Sequence, residues 1–447
     1  MAVTEVLLDE THDPAARSWV AAANVEGADF PIQNLPFGVF RHTGAPRGGV
    51  AIGDQVLDVA ACAPLLQGLA RDAALAAGGA TLVPLMACDP AAWTALRRGL
   101  FALLLSGSGS RAAVEPLLTP VGDAEMLLPA RPGAFTDFFA SINHATNAGR
   151  MFRPDNPLLP NYKYVPIAYQ GRVSTLRVSG TPVHRPNGQV KPAGQDAPVY
   201  GACQSLDYEL ELGLFLGGAS VVGTPVPVAE ASRHLFGVCL LNDWSARDIQ
   251  AWEYQPLGPF LGKSFATSLS PWIVTADALR PFRVPAWPRP AGDPAPLPHL
   301  DGAGDQALGG LEVTVEAFLT TAAMREAGTA PHRLSRAATD ALYWTPAQMI
   351  AHQTSNGCNL EPGDLYGTGT ISGPDRAGLG SLLEITQRGS IPITLPGGET
   401  RGFLDDGDEV VFHGHCARDG RVRIGFGACA GQILPAPHVP TRKNVHE

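Results

Sequence analysis

The sequence predicts a β-rich α+β protein, and three observations carry that reading. Strand-length runs with alternating or continuous apolar side chains recur beyond residue 135, among them YELELGLFLG, HLFGVCLLND, LEVTVEAFLT and DEVVFHGHC. Helical patterns are few. Glycine and proline are frequent, 50 and 40 in 447 residues, which suits many turns between short strands. A hydrophobic share of 45% can bury a large core, and a charged share of only 17% argues against a disordered polyelectrolyte.

Residues 29–60 read as a small β unit, in which FPIQNLPFGVFRH and GGVAIGDQVLDVA are strand-like and Gly53-Asp54 is a turn. Helical stretches follow near 62–75 and 91–105; AAWTALRRGLFALLL in the second has clear apolar periodicity. Residues 120–133 look like a connection, which places the expected domains at 1–129 and 130–447. Strands then dominate, including TLRVSGTPV, SPWIVTADAL and LLEITQRG, with helices expected mainly at 229–235, 246–254 and 345–354. Residues 280–310, rich in proline and glycine, read as a long surface loop.

A net charge of -10 with no basic stripe disfavours nucleic acid as a partner. The seven cysteines are odd in number, widely spaced and free of C-x-x-C pairs, which favours reduced thiols in a cytosolic protein. The start, MAVTEVLLDETHDP, has no basic segment followed by an apolar one, and the apolar patch at 100–105 is too short to span a bilayer. The expectation is a soluble cytoplasmic protein with no membrane partner.

The chemistry concentrates around LNDWSARDIQAWEYQPLGPFLGKSF. An apolar run ends in Asp243, and a short helix-like segment then puts Arg247, Gln250 and Tyr254 at i, i+3 and i+7, on one face. A loop bounded by glycine and proline delivers Lys263. Upstream, Glu209 and Glu211 alternate in SLDYELELGLFLG and would point to one side of a strand, roughly 7 Å apart. Asp137, in FTDFFASINHATN, shortly precedes His144.

Each of these four acids sits beside apolar sequence, where an unpaired ionised carboxylate is costly. One divalent cation would satisfy all four, and oxygen-only ligands select a hard ion, Mg²⁺ or Ca²⁺. Arg247 and Lys263 would offset the remaining negative charge. A second reading fits the same spacing: Glu209 and Glu211 as the solvated face of an edge strand, Asp243 as a helix N-cap. His144 suits a general base or a hydrogen-bonded structural residue, and spacing identifies no acid to orient its ring. His413 and His415 lie on an alternating strand without a second ligand cluster, which reads as structural. GTGTISG has no lysine in P-loop register and is not read as a nucleotide loop.

Taken together, TDFFASINHATNAGRMFRP, YQGRVSTLRVSGTPVHRPNGQ, PVYGACQSLDYELELGLFLG, FGVCLLNDWSARDIQAWEYQPLGPFLGKSF, HQTSNGCNLEPGDL and GTISGP closely resemble the fumarylacetoacetase (fumarylacetoacetate hydrolase) family. With DFPIQNLPFGVF they cover nearly the whole chain. The resemblance implies a small N-terminal SH3-like barrel, a larger mixed β-roll and a homodimer. It assigns Asp137, Glu209, Glu211 and Asp243 to a metal, His144 to the catalytic base and Glu384 to the acid that orients it. It assigns Arg247, Gln250 and Lys263 to oxyanion and leaving-group stabilisation, and Arg153, Tyr169, Gln250, Tyr254 and Thr370 to substrate contacts. Lys263 and Thr267 match positions of a secondary magnesium contact. Phe139 stands at a substrate-contact position where the family pattern usually has tyrosine.

The implied reaction is metal-dependent hydrolysis of a carbon–carbon bond in 4-fumarylacetoacetate to fumarate and acetoacetate, the last step of tyrosine and phenylalanine catabolism. The alternative within the superfamily is an acylpyruvate or fumarylpyruvate hydrolase. A non-catalytic protein on an inherited fold would have lost His144, Glu384 or a metal carboxylate, and all are present.

Overall fold

The computed structural model describes residues 7–438. The first six residues, which contribute to the expectation of no leader, lie outside them. Three sheets organise the chain. The first has five strands in the order Leu118–Pro120, Gln55–Asp58, Arg47–Ile52, Phe37–Arg41 and Glu125–Leu127, with helices Gly68–Ala76 and Pro90–Leu104 between its members in sequence. Gly53 makes the expected turn at φ 58, a left-handed conformation that glycine adopts without steric cost.

The second sheet has eight strands. Its path runs Ala168–Gln170, Phe135–Phe138, Leu365–Gly367, Leu210–Leu216, Leu235–Asp243, Thr267–Leu269 and Leu176–Val178, with Val274–Thr275 also paired to Leu235–Asp243. The third sheet orders His332–Ala338, Thr314–Thr320, Glu409–Cys416, Ile424–Leu434 and Val183–His184. The molecule is therefore a mixed helix and strand protein, rich in sheet as its sequence predicts.

Strand periodicity decides where the site sits. Leu210, Leu212, Leu214 and Leu216 face the larger core, with Val238 and Leu240 of the next strand. Phe215, Cys239 and Leu241 face the other way, into a second core shared with Val39, Val50, Leu96 and Leu100 from the first 130 residues. Phe37 N–H and C=O also exchange hydrogen bonds with Ile273, at 2.9 and 2.7 Å. By the same alternation, Glu211 shares the side of Phe215, and Asp243 that of Cys239 and Leu241.

Several local expectations are corrected. LLEITQRG is no strand: Leu382–Ile385 is a short helix, because the Ser381 hydroxyl accepts the Glu384 N–H and caps its first turn. A helix not expected from the sequence, Ile142–Phe152, follows Ser141, whose hydroxyl accepts the His144 N–H. Lys263 is carried by a helical turn, Leu261–Ser264, and not by loop. Glu209 falls one residue before its strand begins. Residues 280–310 contain the helix Ala303–Leu308 and a short strand, Arg283–Val284. TLRVSGTPV divides into Leu176–Val178 and Val183–His184, and SPWIVTADAL keeps only Val274–Thr275.

Candidate active site

Three strand termini deliver carboxylates to one point. Asp137 lies opposite Gly367 in parallel register, Glu211 opposite Leu241, and Asp243 opposite Thr267. With Glu209 they form a group in which one oxygen from each acid lies within 4.8 Å of the others. All four are buried, Glu211 and Asp243 completely. Gly367 keeps the space open, since a Cβ there would stand 2.3 Å from Asp137 Oδ1 and 2.9 Å from Glu211 Oε2.

The charges are unevenly paired. The Lys263 ammonium donates to Glu209 and, at 2.8 Å, to Asp243 Oδ2. Asp243 also accepts from the Tyr169 hydroxyl at 2.5 Å and the Thr267 hydroxyl at 2.9 Å. Arg247 Nη1 donates to Glu209 Oε1 at 2.7 Å. By contrast, Asp137 Oδ1 and Glu211 Oε1 are buried without a hydrogen-bond partner among the described residues.

The protonation tendencies divide the same way. Burial, then neighbouring negative charge, pushes the Asp137 and Glu211 carboxyls well above the usual carboxylate range. Burial would raise Glu209 too, but Lys263 and Arg247 hold it well below that range. Burial opposes the Lys263 charge, yet Asp243 and Glu209 raise its pKa above the ordinary lysine value. Orphaned carboxylate oxygens, excess buried negative charge and an all-oxygen donor set fit a hard divalent cation.

Facing this cluster is His144. Its Nδ1 lies 2.7 Å from Glu384 Oε2. Glu384 is held on every side, accepting from Asn147 at 2.9 Å, Ser372 at 2.8 Å and Ser381 at 3.0 Å. Burial would raise the Glu384 carboxyl, but these groups and the His144 ring hold it below its ordinary value.

Sequence reasoning missed Asp207, which joins the two sides. It is fully buried, accepts the Arg247 Nε–H at 2.9 Å, and accepts the Leu382 and Leu383 N–H groups at 2.8 and 2.9 Å. Its signal was present: Asp207 is the first acid of the alternating run Asp207, Glu209, Glu211. Asn147, Ser372 and Ser381 were missed as well: Asn147 lies 237 residues from Glu384, and the two serines carry no signal until that acid is placed.

A cavity of about 650 Å³ brings both sides together. Asp137, His144, Glu209, Arg247, Gln250 and Lys263 line it, as do the predicted contacts Phe139, Arg153, Tyr169, Tyr254 and Thr370. Glu211, Asp243, Thr267 and Glu384 stand behind the wall. The Thr370 hydroxyl is buried with no partner among the described residues. Arg153 is exposed at the cavity and donates to Pro157 O at 3.3 Å. The Phe139 ring stands edge-on to His144, centroids 5.4 Å apart at 85°. His413, read as structural, packs on Phe318 instead, away from the cluster.

A buried oxygen-donor cluster and a carboxylate-oriented histidine across one substrate-sized cavity define an enzyme of the acid–base, cation-binding kind. The comparisons make the class specific. The family model described as "Fumarylacetoacetate (FAA) hydrolase C-terminal" matches residues 134–434, and "Fumarylacetoacetase N-terminal" matches 33–129. The chain is 47% identical over 420 residues to the fumarylacetoacetase of Bos taurus and 47% over 421 to that of Homo sapiens, covering 92% of this chain and 97% of each relative. It is 44% identical over 432 residues to that of Oryza sativa subsp. japonica, covering 94% and 97%. The chain belongs to the fumarylacetoacetate hydrolase family.

Proposed function

We propose that the protein hydrolyses a carbon–carbon bond in 4-fumarylacetoacetate, giving fumarate and acetoacetate at the end of tyrosine and phenylalanine breakdown. Curated relatives named fumarylacetoacetase at 44–47% identity over most of the chain support this substrate over an acylpyruvate. The observation that carries the chemistry is the 2.7 Å His144–Glu384 contact at the cavity that holds the carboxylate cluster.

Asp137, Glu209, Glu211 and Asp243 would hold Mg²⁺ or Ca²⁺, which when bound supplies a Lewis acid toward the diketone oxygens. His144 takes a proton from water on its free Nε2, while Glu384 fixes the Nδ1–H tautomer. The water oxygen bonds to the carbonyl carbon. The carbon–carbon bond then breaks, and its electron pair leaves as the enolate of acetoacetate. The proton held by His144 returns to that carbon. Arg247, Gln250 and Lys263 stabilise the oxyanion and the enolate, where one such donor contributes on the order of 3 kcal/mol. Arg153 holds a substrate carboxylate, and Tyr169, Tyr254 and Thr370 supply further contacts, with Phe139 packing against the substrate. Lys263 and Thr267 serve Asp243 in this arrangement, and a secondary magnesium contact there is part of the proposal.

The same reading takes residues 1–129 as an SH3-like barrel and 130–447 as a β-roll, paired as a homodimer in the cytoplasm. Among the described residues no helix is long and apolar enough to cross a membrane. The experiment is incubation with fumarylacetoacetate, with and without chelator, following loss of the diketone absorbance. Loss that chelator abolishes and Mg²⁺ or Ca²⁺ restores is the expected result. No loss with metal present would transfer the assignment to an acylpyruvate and make Phe139 the first residue to test.

A further inference from the structure

We infer that the seam between the N-terminal region and the large sheet holds a second binding site, for a small multivalent oxyanion. A cavity of about 330 Å³ opens there, between the helix Pro90–Leu104, residues 232–236 and residues 275–283. It shares no lining residue with the catalytic cavity. Four arginines line it, Arg97, Arg233, Arg280 and Arg283, against a single acidic residue, Asp277.

That carboxylate is already engaged. Its Oδ1 pairs with Arg280 at 2.5 Å, and its Oδ2 accepts the Thr94 hydroxyl at 2.7 Å. Among the described residues the other three guanidiniums have no carboxylate within ion-pair distance. Arg97 is buried and directs its N–H groups to neutral oxygens only: the Thr11 hydroxyl and the Asn34 and Gln33 carbonyls. Arg283 is partly buried and its guanidinium donates no hydrogen bond among the described residues, and Arg233 stands exposed at the edge.

Like charges gathered at one cavity repel each other, and here they do so in a chain whose net charge is -10. An anion is the natural counterpart. Guanidinium forks match the paired oxygens of phosphate and carboxylate, and the volume is that of a small-metabolite site. A free phosphate and a short dicarboxylate, the reaction's own dicarboxylate product included, present this same chemistry. An occupant would bridge the Pro90–Leu104 helix to the edge of the large sheet, so binding reads out as stability of the whole chain.

The test is thermal unfolding of the full chain with inorganic phosphate, and separately with fumarate, at ionic strength held constant with chloride. A saturable rise in Tm with either ligand is expected. Arg233→Ala, at an exposed position, and Arg283→Gln should each weaken that ligand by about ten-fold. Phosphate alone identifies a phosphate site, and fumarate alone a dicarboxylate site. A fumarate shift that survives Arg233→Ala and Arg233→Glu belongs to the catalytic cavity and overturns the proposal. The same is true if chloride reproduces the rise or neither ligand gives one. Should Arg283→Gln not fold, the two Arg233 variants decide the matter alone.

Discussion

The two sides of the catalytic cavity are built to opposite standards. On one side Glu384 accepts hydrogen bonds from Asn147, Ser372 and Ser381 while gripping the His144 ring, so that each oxygen is engaged. On the other, Glu209 and Asp243 are paired with Lys263, but Asp137 and Glu211 each keep a buried oxygen without a partner. A satisfied network fixes one geometry before any ligand arrives, whereas an unsatisfied one stores a demand for charge. The base side is finished by the chain itself. The carboxylate side is one that a cation would finish.

Four measurements sharpen that contrast. The largest expected effect is on the finished side: His144→Ala should lower kcat by ~10³-fold or more while leaving bound metal unchanged. Near-normal turnover would remove His144 as the base. Next is Asp243→Ala, which strands the Tyr169 and Thr267 hydroxyls, takes one of two carboxylates from Lys263, and should cost ~3–5 kcal/mol of stability as well as metal content. Metal content equal to that of the parent protein would contradict its assignment as a ligand. Glu384→Gln keeps the shape of the side chain but weakens the ring's orientation, and kcat should fall by ~10²-fold at little change in KM. If KM moves and kcat does not, Glu384 acts on substrate rather than on the histidine.

The smallest effect is on stability against pH in chelated protein, and the two sides differ in sign. Asp137 and Glu211 have raised pKa values, so their contribution is complete below the ordinary carboxylate range and is lost as pH rises through the folded values. Glu384 is depressed, so its contribution is present above its unfolded value and is lost only as pH falls through the folded one. As pH rises above the ordinary carboxylate range the chelated protein should therefore lose Tm, and added Mg²⁺ or Ca²⁺ should restore more at the higher pH. A Tm indifferent to both pH and cation would break the contrast.

What the sequence reveals follows the range of the forces involved. The strands Leu210–Leu216, Leu235–Asp243, Thr314–Thr320 and Glu409–Cys416 are legible because alternation and apolar runs are local signals. Asp137, Glu211 and Asp243 are legible as acids set against apolar strands. Glu384 is legible only through the family resemblance and not from spacing, because LLEITQRG has strand-like composition and becomes a helix only when Ser381 caps it and Asp207 accepts its first two N–H groups from 175 and 176 residues away. The helix after Asp137 is hidden for a related reason: its N-cap, Ser141, follows an apolar stretch, FFA, and carries no strong local start signal. The role of Asp207 is not legible, since its partners, Arg247 and the N–H groups of Leu382 and Leu383, lie on two distant segments.

The shared core behind the large sheet carries a practical lesson about dissecting this protein. Val39, Leu96 and Leu100 meet Phe215, Leu241 and Leu365 in one hydrophobic cluster, so a cut between the two family-matched segments passes beside a plate of side chains that belongs to both halves. Expressed singly, each fragment would bare that plate and aggregate. Produced together, they should reassemble as a nicked protein, and recovered turnover would then count how many molecules had rejoined.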